Sequence, residues 1–338
     1  MKARLLNFLA CPHDQHAPLK LHSFRERPTP VTKPFSRCEL HCGLRDSSLA
    51  TVTLDDCQRC ADTEIDEGVL ACPQCGRWYP VTDGLPTLFP DDLRPADLNF
   101  IAMHREGLSA LGLVTLRFPT EREATASADA IARMQRERQA RDDQAERYDQ
   151  MWGLRLYKAI EAPAYFNALR AAPRGPLFEA GGGTGRLTDI FTALSDEVIT
   201  ADFSLTSLRR NRRRHAASGR IIHYLQCDLT RLPLRDHCVT AIAHAGVYEH
   251  IPTQDLRRRW LEHARRALAP GGQFMVSAYR YGGVMKLFGK AGEHPGGIPF
   301  IRFTEAELRA ELGHAFVVQE FTRSLGLYLS LATCMAKP

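Results

Sequence analysis

The stretch Leu177-Phe178-Glu179-Ala180-Gly181-Gly182-Gly183-Thr184-Gly185-Arg186 limits what this chain can build more than any other part of it. A short apolar strand runs into glycines and then into the helical pattern Leu187–Leu194. Glycines suit a place where side chains would block the backbone's approach to a ligand, and the start of a helix offers free N–H groups to an anion. A glycine-rich loop alone is a weak signal; the strand before it and the helix after it give it weight. From residue 175 onward short apolar runs alternate with amphipathic stretches, which predicts βα units and a mostly parallel sheet, an α/β fold. Strands are expected at Leu177–Ala180, Val198–Ala201, Ile221–Gln226, Thr240–Ala245 and Gln273–Ala278, with a closing pair at Phe316–Phe321 and Tyr328–Met335. Leu256, Trp260, Leu261, Ala264 and Leu268 recur at helical spacing before Pro270-Gly271-Gly272, and Thr304 with Glu307 forms a capping box.

Two acids close the next two strands, Asp202 and Asp228. In a doubly wound sheet the C-terminal strand ends converge on one crevice, so Glu179, Asp202 and Asp228 are expected to face one ligand. Taken singly, Asp202 also suits a cap for a helix opening at Ser204, and Asp228 a turn. A nicotinamide-binding Gly-x-Gly-x-x-Gly fingerprint starting at Gly181 would need glycine where Arg186 stands. With Glu179-x-Gly181-x-Gly183-x-Gly185, Asp202, Cys227-Asp228-Leu229, Gly246-Val247-Tyr248-Glu249-His250-Ile251-Pro252 and Leu268-Ala269-Pro270-Gly271-Gly272 in order, residues 145–338 resemble a class I methyltransferase domain of the small-molecule type. The resemblance implies a Rossmann-like sheet whose last strand is antiparallel, and S-adenosylmethionine as cofactor. It implies that Gly181, Gly183 and Gly185, with Glu179, hold the methionine part. Asp202 would take the ribose hydroxyls and Asp228 the adenine amino group, with Phe203, Leu229, Ala245 and Tyr148 also binding the cofactor; Tyr148 and Trp152 are expected to close the side opposite the acceptor lid. Where many relatives carry an acid at the start of the fourth strand, this sequence has Thr240-Ala241.

Seven of the ten cysteines lie before residue 76, most in short-spaced pairs, a pattern that favours metal ligation in a reducing compartment over disulfides. Cys57-x-x-Cys60 and Cys72-x-x-Cys75 are two knuckles, and their spacing predicts one zinc ion held by these four thiolates, with a hairpin between the pairs. Gly68 to Pro86 and the opening Leu5-Leu6-Asn7-Phe8-Leu9-Ala10-Cys11-Pro12 resemble a zinc-ribbon family that includes small methyltransferase-activating proteins. Where that family has a second cysteine after Cys11, this chain has Asp14, and a long insertion follows; Cys57 and Cys60 are therefore expected to replace the missing pair. Cys11, Cys38 and Cys42 could make a second site, with His13, His16, His41 or Asp14 nearby; unliganded side chains are the competing reading.

The chain is expected to divide into a zinc-ribbon-like domain over 1–95, a helical connector over 96–150 and a Rossmann-like methyltransferase domain over 151–338. Phe118-Pro119-Thr120 is the expected hinge. A net charge of +5 falls well short of a polybasic nucleic-acid binder. No apolar run approaches the ~20 residues of a membrane span, and the apolar stretch after Lys2 and Arg4 is shorter than an export signal, so a cytoplasmic protein is expected. Methyl transfer needs the acceptor aligned with the sulfonium methyl and water excluded. Glu249, His250 and Tyr279 are the candidate catalytic groups, with Tyr248, Tyr281 and His294 near them. The loop Tyr279–Phe303, carrying Val284-Met285-Leu287-Phe288, suits an acceptor lid over a small, partly apolar molecule. An RNA acceptor is the alternative, because some ribosomal-RNA guanine methyltransferases also join a zinc finger to this domain and Arg209–Arg214 is strongly basic. A zinc-organised binding module without catalysis is the third reading.

Overall fold

The computed structural model describes the chain except residues 32–36, 39–40, 46, 92, 94–97, 114–127, 149–151, 295, 325–328 and 338. Phe118-Pro119-Thr120 and Tyr328 lie outside the described residues. The chain forms two compact units, Met1–Gln135 with His223–Arg235, and Arg136–Ile222 with Asp236–Pro338.

In the first unit the strands are β1 (Lys20–Pro28), β2 (His41–Cys42), β3 (Ser47–Ser48), β4 (Thr63–Ala71), β5 (Trp78–Thr82) and β6 (Leu85–Leu88). β1, β4, β5 and β6 form an antiparallel array in that order. The turn from β5 to β6 is made by Asp83 and Gly84, both at positive φ (51° and 70°). Asp-Gly is the dipeptide that tolerates this geometry, and it matches the twist of the strands it joins. Helix α1 (Leu54–Asp62) starts at Thr53, whose side chain and that of Asp56 close a reciprocal capping box. Two short helices, α2 (Leu98–Met103) and α3 (Arg105–Ala110), place Phe100 and Leu108 against Val69 and Trp78. This end of the expected connector thus belongs to the first unit's core, because its apolar side chains are buried there.

In the second unit α4 (Ala128–Tyr148), from Arg136 onward, and α5 (Trp152–Leu169) precede the sheet. The strands are β7 (Leu177–Ala180), β8 (Glu197–Asp202), β9 (Ile221–Cys227), β10 (Val239–His244), β11 (Leu268–Tyr279), β12 (Ala291–His294), β13 (Ile298–Ile301), β14 (Phe316–Ser324) and β15 (Leu329–Ala336). β9 divides between the units; within the first, Thr87 and Leu88 of β6 pair in parallel with Gln226 and Cys227. β8, β7, β10 and β11 are adjacent and parallel, and β15 runs antiparallel between β11 and β14. Helices α6 (Thr188–Leu194), α7 (Leu205–His215), α8 (Gln254–Ala267) and α9 (Glu305–Leu312) alternate with the strands. All four residues of β7 are buried, as a central parallel strand requires. On α8, Leu256, Trp260, Leu261, Ala264 and Ala267 are buried, the face marked by the helical spacing. The capping box of Thr304 and Glu307 opens α9. The helix before Pro270-Gly271-Gly272 ends at Ala267, and those three residues sit in β11 beside a register shift, with Gly271 at φ 76°. Among the described residues no helix is long and apolar enough to cross a membrane.

Candidate active site and metal centre

The glycine loop bends back on β8: the N–H groups of Gly181 and Gly182 both donate to the carbonyl of Ala201, at 2.8 and 2.9 Å. Gly181, Gly183 and Gly185 have φ of 73°, 53° and 87°. At Gly181 a Cβ would also lie 2.2 Å from a methyl of Val247, whereas around Gly183 a Cβ would meet none of the described residues within 4 Å. The loop is thus packed underneath and open above, a cradle that side chains would fill. Asp202 ties it to the next helix. One carboxylate oxygen accepts from the Gly183 N–H and the other from the Ser204 N–H, both at 2.8 Å. Two of the roughly four lone-pair positions of a carboxylate are occupied in this way, leaving the others to a ligand. Phe203 follows in the same turn.

Glu179 is buried and accepts from the Thr188 hydroxyl at 2.7 Å, while Asn211 donates to that hydroxyl at 3.1 Å. Burial pushes the Glu179 carboxyl up to about 7. Ala245 follows β10 and packs, partly buried, against the apolar cluster. Next to it the Gly246 N–H donates to Ser277 Oγ (3.1 Å), which donates to Glu161 (2.9 Å), which also pairs with Arg186 (2.5 Å). Asp142, on α4, accepts from the Ser204 hydroxyl at 2.5 Å and the Thr206 N–H at 3.1 Å. Glu161, Ser277 and Asp142 carried no signal in the sequence, because each is one acid or hydroxyl among many, and the Asp142–Ser204 and Glu161–Ser277 bonds join residues 62 and 116 positions apart. Tyr148 lies on α4, but its side chain and that of Trp152 lie outside the described residues. Asp228 and Leu229 fall in the segment that belongs to the first unit, where both carboxylate oxygens of Asp228 accept from Thr230 (2.9 and 2.7 Å), the turn-opening arrangement.

The candidate catalytic groups gather after β10. The Nδ1 of His250 donates to the Pro299 carbonyl at 2.8 Å, and its ring meets those of Tyr279 and His294 at 5.8 and 5.4 Å. Burial, with the Arg141 charge second, holds His250 well below its ordinary range, so the imidazole is neutral and its Nε2 carries the lone pair. Tyr279 hydrogen-bonds His294 at 3.2 Å. Tyr248 instead donates to Glu311 at 2.7 Å, and Glu311 also grips Arg257 through both oxygens, a structural pillar. In the expected lid, Met285 is buried, Val284, Leu287 and Phe288 are exposed, and β12 and β13 form a hairpin.

Glu249 is 1% exposed, and among the described residues neither of its carboxylate oxygens has a hydrogen-bond partner. Burial pushes it up to about 8. A carboxyl raised this far above its ordinary 4.5 stabilises the folded state while protonated; the contribution is complete below 4.5 and disappears as pH climbs through about 8. The wild-type chain is therefore expected to lose on the order of 1 kcal/mol of stability between about pH 7 and pH 9, and Glu249→Gln to show a flatter profile. Denaturant melts at both pH values check this; identical slopes for the two proteins would remove Glu249 as the titrating group.

The structure does not bring Cys57 and Cys60 to Cys72 and Cys75. The residues between the two knuckles form no hairpin: after the last two residues of α1 they run as the single nine-residue strand β4, which at ~3.3 Å per residue carries its ends about 30 Å apart. Cys72 and Cys75 meet Cys11 and Asp14 instead, with one ligand atom of each within 4.8 Å of all the others. Cys11, expected with Cys38 and Cys42, is thus in a different cluster from them. Cys11 Sγ lies 3.7 Å from Cys75 Sγ, and Cys72 Sγ lies 3.6 Å from both Asp14 oxygens. A zinc tetrahedron with ~2.3 Å bonds to sulfur has edges of about 3.8 Å, so three thiols and a carboxylate at these separations fit the ion. Backbone N–H groups of Gln74 and Cys75 face the Cys72 sulfur, and those of His13 and Asp14 face Cys11, the turn geometry that supports thiolates.

The parallel sheet, the glycine cradle and the bridging Asp202 define a Rossmann-like, class I methyltransferase domain. Residues 178–276 match the methyltransferase domain family and residues 2–84 the Trm112p-like protein family, so the chain joins a Trm112-like zinc-ribbon domain to an S-adenosylmethionine-dependent methyltransferase domain. The chain is 32% identical over 146 residues to the ubiquinone/menaquinone biosynthesis C-methyltransferase UbiE of Acidiphilium cryptum, covering 40% of this chain and 56% of that protein. It is 40% identical over 60 residues to a probable tRNA methyltransferase 9B of Mus musculus, 18% of this chain and 13% of the other. The chain thus spans 56% or less of these curated relatives. The solved structure of Burkholderia thailandensis 1,6-didemethyltoxoflavin-N1-methyltransferase, with 1,6-didemethyltoxoflavin and S-adenosylhomocysteine bound, shares the fold at a TM-score of 0.50 and 19% identity, covering 63% of this chain and 92% of that one.

Proposed function

We propose that the chain transfers a methyl group from S-adenosylmethionine to a small, partly apolar acceptor. The observation that carries this reading is the Asp202 carboxylate bridging the Gly183 and Ser204 N–H groups in an open glycine cradle, in the same unit as a buried Glu249–His250 pair. Gly181, Gly183 and Gly185 would admit the methionine part and Asp202 would accept the ribose hydroxyls, while Cys11, Asp14, Cys72 and Cys75 hold zinc in the first unit. When bound, the cofactor supplies an electrophilic methyl on a sulfonium. The residues' task is to align the acceptor in line with it and keep water out. His250, with Nδ1 committed to Pro299, presents Nε2 as a base for an acceptor hydroxyl or amine, and the rings of Tyr279, His294 and Phe300 form an aromatic wall beside it.

His250→Ala is expected to lower kcat by about 100-fold or more, in the range of general-base catalysis, with affinity for S-adenosylhomocysteine unchanged. Single-turnover rates with a phenolic or quinol acceptor, beside calorimetry on the same variant, read both quantities. An unchanged rate would remove the base; loss of product binding as well would make His250 a packing residue. The similarity to the probable tRNA methyltransferase supports a second reading, methyl transfer to RNA. Binding to tRNA that weakens steeply with salt, together with methyl incorporation into it, would decide for RNA.

A further inference from the structure

The insertion in the first unit carries a second cysteine group that neither the cofactor crevice nor the Cys11 cluster uses. Cys38, Cys42, Cys57 and Cys60 are all 3% exposed or less. The Cys60 thiol lies within hydrogen-bonding reach of both Cys38 and Cys42, and Cys57 lies within reach of Cys38. Buried thiols from two separate segments, the turn around Cys38 and Cys42 and helix α1, therefore face one another. We propose that Cys38, Cys42, Cys57 and Cys60 form a second metal centre, a tetrathiolate site for zinc.

The surroundings are built as for the first cluster. Cys42 begins a turn in which the Arg45 N–H donates to the Cys42 carbonyl at 3.2 Å, while the backbone N–H groups of Leu44 and Arg45 face its sulfur. The same pairing of N–H groups faces Cys72. Gly43 lets this turn lie against Leu6, where a Cβ would come within 2.5 Å of a side-chain carbon. Cys57 and Cys60 stand three residues apart on α1, on one face of the helix. The turn is fastened to the helix by Arg45, whose guanidinium meets Asp56 at 2.6 Å; Asp56 is itself 2% exposed and held in the capping box with Thr53. A zinc ion with four thiolates carries two net negative charges, which are costly to bury without a cation. The guanidinium of Arg4, 1% exposed, stands 3.6 Å from Cys38 Sγ and supplies one. Soft sulfur donors select zinc or an iron–sulfur cluster over oxygen-preferring cations. The two centres sit toward opposite ends of β4, since Cys60 precedes it and Cys72 follows it.

The test is metal content of the full chain, purified under reductant and saturated with zinc before exhaustive dialysis. Two zinc ions per chain are expected. Cys57→Ser with Cys60→Ser should leave one. One zinc ion per wild-type chain, or two retained in the double variant, would overturn the proposal. Iron with visible absorption would overturn it in favour of a cluster, and fewer free thiols after denaturation in chelator would overturn it in favour of a disulfide. If the double variant does not fold, cobalt replacement in the wild-type chain decides. Sulfur-to-cobalt absorption more than twice that of a three-thiolate centre is expected, and absorption matching three thiolates alone would refute the second site.

Discussion

Cys72→Ser is expected to release the metal held with Cys11, Asp14 and Cys75 and to unfold the core around it. Structural zinc contributes about 10–16 kcal/mol of binding free energy, and that energy is folding free energy because no site exists in the unfolded chain. A domain's net stability is only about 5–15 kcal/mol, so losing the ion removes most or all of it. Tyr79, fully buried and 3.2 Å from Cys11 Sγ, ties the site directly to β5, and the Cys72 N–H to Arg77 carbonyl bond at 2.8 Å closes the turn that holds it. The fragments released by limited proteolysis of the full chain, with zinc content measured alongside, read the effect. Asp14→Cys, which restores a fourth sulfur, is expected to keep both the metal and the resistance to proteolysis. An unchanged zinc content and melting temperature in Cys72→Ser would show that the cluster does not hold an ion.

Asp202→Ala is expected to weaken binding of S-adenosylhomocysteine by about 10- to 100-fold, from the ~1–3 kcal/mol of each lost hydrogen bond to a charged group. The side chain is the shared acceptor for the Gly183 and Ser204 N–H groups, so its removal frees the loop as well as deleting an acceptor for ribose. Asp202→Asn keeps one carbonyl oxygen but turns an NH2 group toward the second N–H, and should fall between the two. Calorimetric titration of the folded variants checks the order. Equal affinity in all three proteins would mean that this carboxylate serves only as a helix cap.

Much of the second unit was legible because its signals are local. The apolar run Leu177–Ala180, the glycines behind it, the buried face of α8 and the Thr304–Glu307 box each follow from residues within one or two turns of one another. The clustering of the cysteines was not legible in the same way. Spacing joined Cys57 and Cys60 to Cys72 and Cys75, but spacing does not reveal whether the intervening residues fold back or run straight. β4 runs straight, paired with β1 on one side and β5 on the other, and so separates the pairs. Likewise the sequence marks α4 only as part of a helical connector, yet Asp142 caps the start of α7 and the charge of Arg141 is felt at His250.

Local pattern alone marks one part of this chain as a parallel α/β sheet with a glycine cradle at a strand end, and another part as rich in soft metal ligands. Those are matters of short-range pattern and of what each residue type can do chemically. Which cysteines cluster, how Asp202 divides its oxygens between loop and helix, and that Glu249 is buried with no hydrogen-bond partner among the described residues follow from the tertiary structure alone. Each depends on groups far apart in the chain meeting in a low-dielectric interior, where a strand's direction sets the partner and burial sets the charge.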